Sequence, residues 1–126
     1  MMPIRSWLAW SWTLVILGVC WFPGRFLPLK EEAPRPFFIP QLDKMIHCGI
    51  FLLFAALWMR VGEPAGRAVR VLLLGLALAV VSELGQEMPL VRRDASWMDG
   101  GADLLGIALG VYASGFLHRT RRERAA

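Results

Sequence analysis

Charge is scarce in this sequence. Only 19% of its 126 residues are Asp, Glu, Lys or Arg, below the quarter or so usual in soluble domains. That shortage excludes a disordered, charge-solvated chain. Cysteine is nearly absent as well: Cys20 and Cys48 both fall inside apolar runs, with no CxxC and no Cys/His metal spacing. A disulfide scaffold is therefore excluded. The two thiols read as small buried hydrophobes, with a single bridge near the outer helix ends as the alternative. No segment alternates apolar and polar residues with period two, so strands are not expected. There is no basic stripe interleaved with aromatics, no nucleic-acid motif, no nucleophilic Ser or Cys motif, no internal repeat and no second domain.

What fills the chain is apolar. Apolar residues make up 56% of it and the mean hydropathy is +0.49, against roughly 45–50% apolar in soluble domains. The length allows one domain, 1–126. A soluble domain of this size buries only about two-thirds of its unfolded surface. It has nowhere to hide so much apolar sequence behind a polar exterior. The composition predicts an integral membrane protein rather than an ordinary soluble enzyme. The net charge of +4 then belongs to membrane orientation rather than to nucleic acid, because the bases sit between apolar stretches.

Four apolar segments, at about 7–22, 42–61, 68–88 and 99–117, predict an all-α bundle of four transmembrane helices with a short Arg-rich tail at 118–126. Each is close to the roughly 17–25 residues that span a bilayer as a helix, and lipid leaves an open chain no other way to satisfy its backbone. The first segment follows Arg5, as a signal peptide would. Its four tryptophans (Trp7, Trp10, Trp12 and Trp21) and the lack of a small-x-small site predict an uncleaved helix instead. Val19, ahead of Cys20, argues against a lipoprotein signal. Pro23, Pro28, Pro34, Pro36 and Pro40 predict an extended loop between the first two helices. Gly62 to Arg67 reads as a short turn around Pro64 and Gly66, and Pro89 to Trp97 as a short polar loop. Met and Trp residues read as lipid-facing or interfacial.

An even number of helices puts both termini on one side. That side holds eight bases (Arg5, Arg60, Arg67, Arg70, Arg119, Arg121, Arg122 and Arg124) and two acids, while the other holds six bases and eight acids. The excess of bases places both termini in the cytoplasm of a multi-pass cell-membrane protein.

Segments two to four reach spanning length only by taking in polar groups: Asp43 and His47, Glu83 and Gln86, Asp99 and Asp103. An ionisable group at mid-membrane costs about 2.5–3.5 kcal/mol on insertion scales and usually faces a protein interior or a wet cavity. The depths of these residues agree. His47 lies 13 residues from Arg60, Glu83 lies 13 from Arg70, and Asp103 lies 16 from Arg119, which is roughly 20–24 Å of helix. Asp43, Gln86 and Asp99 form a second tier one turn further out, with Arg92 and Arg93 in the loop above. Each pair is spaced i,i+3 or i,i+4 and so shares one side of its helix. One shared site, open outward, is the expectation. Capping is the competing role for Asp43 and Asp99 near helix starts, where Ser96 ahead of Asp99 resembles a capping box. A buried structural network is the competing role for His47, Glu83 and Asp103. Ala102, Gly106, Gly110 and Ser114, four residues apart, read as a packing stripe that lets helices approach closely.

The run Asp43-Lys44-x-x-His47 with Phe51, followed by Glu83-x-x-Gln86, Arg93-x-x-Ser96-x-x-Asp99, a polar residue and Gly106, resembles the signature of VanZ-like membrane proteins. The resemblance covers about residues 40–110. The family's pattern usually has Asn where Asp103 stands, so this chain carries an added acid. The resemblance implies a minimal four-helix member of a family associated with low-level resistance to a glycopeptide that acts on cell-wall precursors outside the membrane. It does not fix a ligand.

Two functions follow from these residues. In a binding or modulating protein, Lys44, Arg92 and Arg93 would hold an anionic headgroup of a lipid-linked envelope component. Asp43, Glu83, Gln86, Ser96, Asp99 and Asp103 would orient its polar groups. In an intramembrane enzyme, His47 would be the general base oriented by Asp43, Glu83 the acid, and Arg93 the stabiliser of anionic charge. A divalent metal on His47, Glu83, Asp99 and Asp103 is a variant of the enzyme. Membrane lipids are the expected surroundings. The small-residue stripe is compatible with a homo-oligomer, which a transporter of four helices would need.

Overall fold

The computed structural model describes residues 2–23, 42–91 and 97–125, except for the side chains of Asp43, Arg121 and Arg122. Within them the chain is all-α, with α1 (Ile4–Cys20), α2 (Leu42–Trp58), α3 (Arg67–Gln86) and α4 (Trp97–Ala125). Most of the Pro-rich loop, from residue 24 onward, lies outside the described residues.

The ends of the helices follow local chemistry. Pro3 occupies the N-cap of α1 at φ −63°, a value its ring imposes. No breaker follows it, so the helix starts three residues earlier than the apolar run suggested. At the end of α2 the ladder tightens: Met59 N donates to Ala55 O, but Arg60 N and Val61 N reach only to Leu57 O and Trp58 O, three residues back. The helix therefore stops at Trp58 instead of 61. Gly62 and Gly66 then take φ of 74° and 67°, the left-handed region that glycine enters without steric cost. Arg67 crosses back over this turn. Its Nη1 donates to Met59 O at 2.9 Å and its Nη2 to Gly62 O, satisfying carbonyls that the end of α2 leaves open.

The largest departure is α4, which runs through the Arg-rich tail to Ala125. After Gly115 the chain has no glycine or proline, and Arg, Glu and Ala are strong helix formers. The apolar run ends near Leu117, but nothing there stops a helix.

Four contacts set the directions of the helices. The α2 and α4 helices run parallel, since His47 meets Asp103 while Gly110 lies against Leu52 and Ala55. The α3 helix runs the other way, with Gly75 against Ile107 and Glu83 nearest Gly100. The α1 helix is antiparallel to α2: Trp10 stacks edge-on against Trp58, with ring centroids 5.1 Å apart, and Trp12 Nε1 donates to Ile50 O at 2.9 Å. Trp58 Nε1 in turn donates to Thr13 Oγ1 at 3.1 Å, and Thr13 donates to Ala9 O. Trp12 and Trp58 are half-buried at this contact. They fasten α1 to α2, and each indole N–H is satisfied. Trp12→Phe should lower stability by about 1 kcal/mol, the net value of one such bond, read as a shift in the unfolding midpoint in detergent.

The core gathers Ile16, Phe51, Phe54, Val71, Leu78 and Ile107, from all four helices. Around it, α3 and α4 are long and apolar enough to cross a membrane, with mean hydropathies of 2.0 and 1.4, while α1 and Lys44–Trp58 of α2 are shorter apolar helices. Leucines on the outside of α3 and α4 are exposed: Leu73 by 61%, Leu84 by 59% and Leu105 by 56%. Cys20 and Cys48 are thiols rather than a disulfide.

Candidate functional site

The closest contact between helices is where α4 presents the small-residue stripe to α2. A Cβ added at Gly110 would lie 2.5 Å from Leu52 O and 2.7 Å from Ala55 Cβ, and one at Gly106 would collide with Cys48 O. Glycine lets the two backbones meet, and one turn toward the N-terminal ends of α2 and α4 this contact becomes polar. There His47 Nδ1 lies 2.9 Å from Asp103 Oδ1. With the carboxylate ionised, Nδ1–H is the donor, and a neutral ring then has its basic lone pair on Nε2. Both groups are buried, Asp103 completely. A further turn toward the same helix ends, Lys44 Nζ stands 3.5 Å from Asp99 Oδ1, and this pair is more accessible than the first. The two pairs stack because α2 and α4 run parallel, so both i,i+4 spacings advance together.

The α3 helix adds Gln86, 3% exposed, and Glu83, half-buried with Oε1 directed toward Gly100 of α4. Ser82 is buried beside them and donates to Ala79 O. Between α3 and α4 lies a cavity of about 520 Å³. Leu76, Val80, Leu84 and Leu104 line its apolar length, and Glu83 and Glu87 line its polar part.

Of the expected cluster, α2 and α4 bring His47 to Asp103 and Lys44 to Asp99, and α3 places Glu83 near Gly100 and buries Gln86. The partners differ from expectation in one respect: the carboxylate on His47 Nδ1 is Asp103 of α4, which the sequence reading had assigned to ligand binding. Asp43, expected to orient His47, has its side chain outside the described residues, as do Arg93 and Ser96. The metal variant is not supported, since no group of three or more His, Cys, Asp or Glu among the described residues could hold a metal ion. Asp99 sits in the first turn of α4 but is directed to Lys44, so it is an ion-pair partner as well as a first-turn acid.

No family model, curated protein or solved structure matches this chain. Its function has to be argued from the chemistry of the site.

Two features suit a ligand better than a closed structural network. Asp103 Oδ2 is buried and has no hydrogen-bond partner among the described residues, and a buried carboxylate oxygen left so is costly. The apolar cavity between α3 and α4 carries Glu83 and Gly100 among its lining residues, the same two that lie near each other across the helices.

Proposed function

We propose that this chain is a VanZ-like, four-span protein of the cell membrane with both termini in the cytoplasm. Its outward site binds or modulates an anionic lipid-linked component of the cell envelope. The observation that carries this reading is the buried His47–Asp103 pair with the Lys44–Asp99 pair directly outward of it. A buried histidine and carboxylate inside apolar helices are expensive unless they serve a site. The positive charge for an anionic headgroup would come from Lys44, paired with Asp99, and from Arg92 and Arg93 of the sequence. The groove between α3 and α4 is suited to an acyl or prenyl chain. At 17 residues each, α1 and α2 are at the short limit of the roughly 17–25 that cross a bilayer.

The test is native mass spectrometry of the gently purified protein, wild type beside His47→Ala and Arg93→Ala. A discrete lipid adduct on the wild type, lost in either variant while the fold survives, is the expected result. Nonspecific phospholipid alone, equal in all three proteins, would overturn the reading.

The His47–Asp103 geometry also favours a second reading, an intramembrane enzyme acting on the same class of lipid. A carboxylate on Nδ1 sets the tautomer in which Nε2 takes a proton, the arrangement a general base needs. Under that reading His47→Ala abolishes product formation while the lipid adduct is retained.

A further inference from the structure

The opposite end of the bundle holds a second cavity, of about 380 Å³, lined by Arg5, Arg60, Arg67, Ser114 and His118. It is assembled from the start of α1, the turn between α2 and α3, the start of α3 and the end of the apolar part of α4. No acid lines it. Arg5 and Arg60 are exposed and form no ion pair among the described residues. Arg67 is held differently. Its two terminal nitrogens are anchored on Met59 O and Gly62 O, while its buried Nε–H has no partner among the described residues. A guanidinium fixed at one edge and unsatisfied at another is a preorganised donor. The start of α3 lies at the same place, with Gly66 as an N-cap that has no side-chain cap bond, and a helix N-terminus favours negative charge. Three guanidiniums around one cavity repel one another, and an anion between them relieves that repulsion.

We propose that this cavity binds the phosphate headgroup of an anionic phospholipid. The volume lies at the lower end of the roughly 300–1,000 Å³ of ligand pockets, and arginine forks match phosphate oxygens. A lipid rather than a soluble phosphate is indicated by the rim. Leu117 lines the cavity, and Ile4, Leu8 and Phe116, all exposed, lie within one helical turn of lining residues on α1 and α4, placing acyl chains next to a bound headgroup. Basic pockets between membrane helices bind headgroups in this way. The inference uses the membrane-embedded reading of the chain but not the outer site, so His47→Ala leaves it unchanged.

The experiment titrates the full chain in detergent with phosphatidylglycerol, phosphatidylcholine or inorganic phosphate and reads retained ligand by native mass spectrometry. Three proteins are compared: wild type, Arg5→Gln/Arg60→Gln, and Arg119→Gln/Arg124→Gln. The last pair makes the same change in charge outside the cavity. Arg5 and Arg60 hold no described contact that folding requires, and circular dichroism checks each variant. Wild type should retain phosphatidylglycerol over phosphatidylcholine. Arg5→Gln/Arg60→Gln should weaken that retention about tenfold, or 1.4 kcal/mol, and Arg119→Gln/Arg124→Gln should leave it within about twofold. Equal losses in both double variants would mean diffuse surface charge and overturn the site. No preference for the anionic lipid in wild type would overturn it too. If inorganic phosphate is retained and displaces the lipid at matched concentration, the lipid assignment falls in favour of a free phosphate.

Discussion

Replacing Gly106 with leucine is expected to cost about 3 kcal/mol or more of stability. The reason is that the neighbour is backbone. A Cβ at this position would meet Cys48 C and Leu52 N at 3.0 Å and come closer still to Cys48 O. A flexible side chain can swing aside, but the carbonyl of a packed helix moves only with its helix. Overpacking of a core commonly costs about 1–3 kcal/mol even where side chains can adjust. Here α2 must lift off α4 along the principal contact of the fold, so about 3 kcal/mol or more is expected. Such a shift consumes much of the marginal stability of a domain, about 5–15 kcal/mol. The check is denaturant unfolding in micelles followed by tryptophan fluorescence, with Gly101→Ala as the control. A Cβ at Gly101 meets nothing within 4 Å, so that variant should match wild type. Equal stability of Gly106→Leu and wild type would mean that α2 and α4 do not meet here.

The second large effect concerns the buried pair. His47→Ala leaves Asp103, fully buried, without its 2.9 Å partner, and Asp103→Ala leaves a buried imidazole in the same position. Breaking a buried pair from one side costs about 3–5 kcal/mol, because what remains is an uncompensated polar group. Removing both partners together removes the cause. His47→Leu/Asp103→Leu should therefore be more stable than the singles His47→Leu and Asp103→Leu taken additively, with a coupling of up to about 3 kcal/mol in the double-mutant cycle. That double variant also separates structure from function. If it folds as well as wild type and retains no lipid, the pair serves the ligand. If it folds and retains lipid as before, the pair is structural and the proposed outer site is wrong. Additive single effects would show that the two residues do not interact.

Much of this was legible in the chain. Apolar runs bounded by Pro, Gly and Arg located four helices, since burial and backbone satisfaction leave such runs little choice. The i,i+3 and i,i+4 spacing placed Asp99 with Asp103, and Glu83 with Gln86, on common faces, because helix periodicity is local. The glycine stripe announced a close helix contact, and Gly106 and Gly110 form one. The i,i+4 spacing of Asp99 and Asp103 on α4 lets them meet Lys44 and His47 of α2 in successive turns.

Other features had no local signal. Helix ends near Trp58 and Ala125 depended on carbonyls capped by Arg67 and on helix formers that extend beyond the apolar run. The indole bonds of Trp12 and Trp58 form only once α1 and α2 are side by side. Asp103, a partner of His47, comes from a helix 56 residues further along, a pairing that no local spacing signals, while the side chain of Asp43 lies outside the described residues.

By itself, then, the sequence determined the all-α class, the four helices and the shared faces of Asp99 with Asp103 and Glu83 with Gln86, because composition and periodicity are properties of the chain. Only the tertiary structure decided that Asp103 holds His47, that Asp99 holds Lys44, and that Arg5, Arg60, Arg67 and His118 close around one cavity. Those pairings depend on the relative direction and rotation of packed helices, which are set by which small residues let which backbones approach.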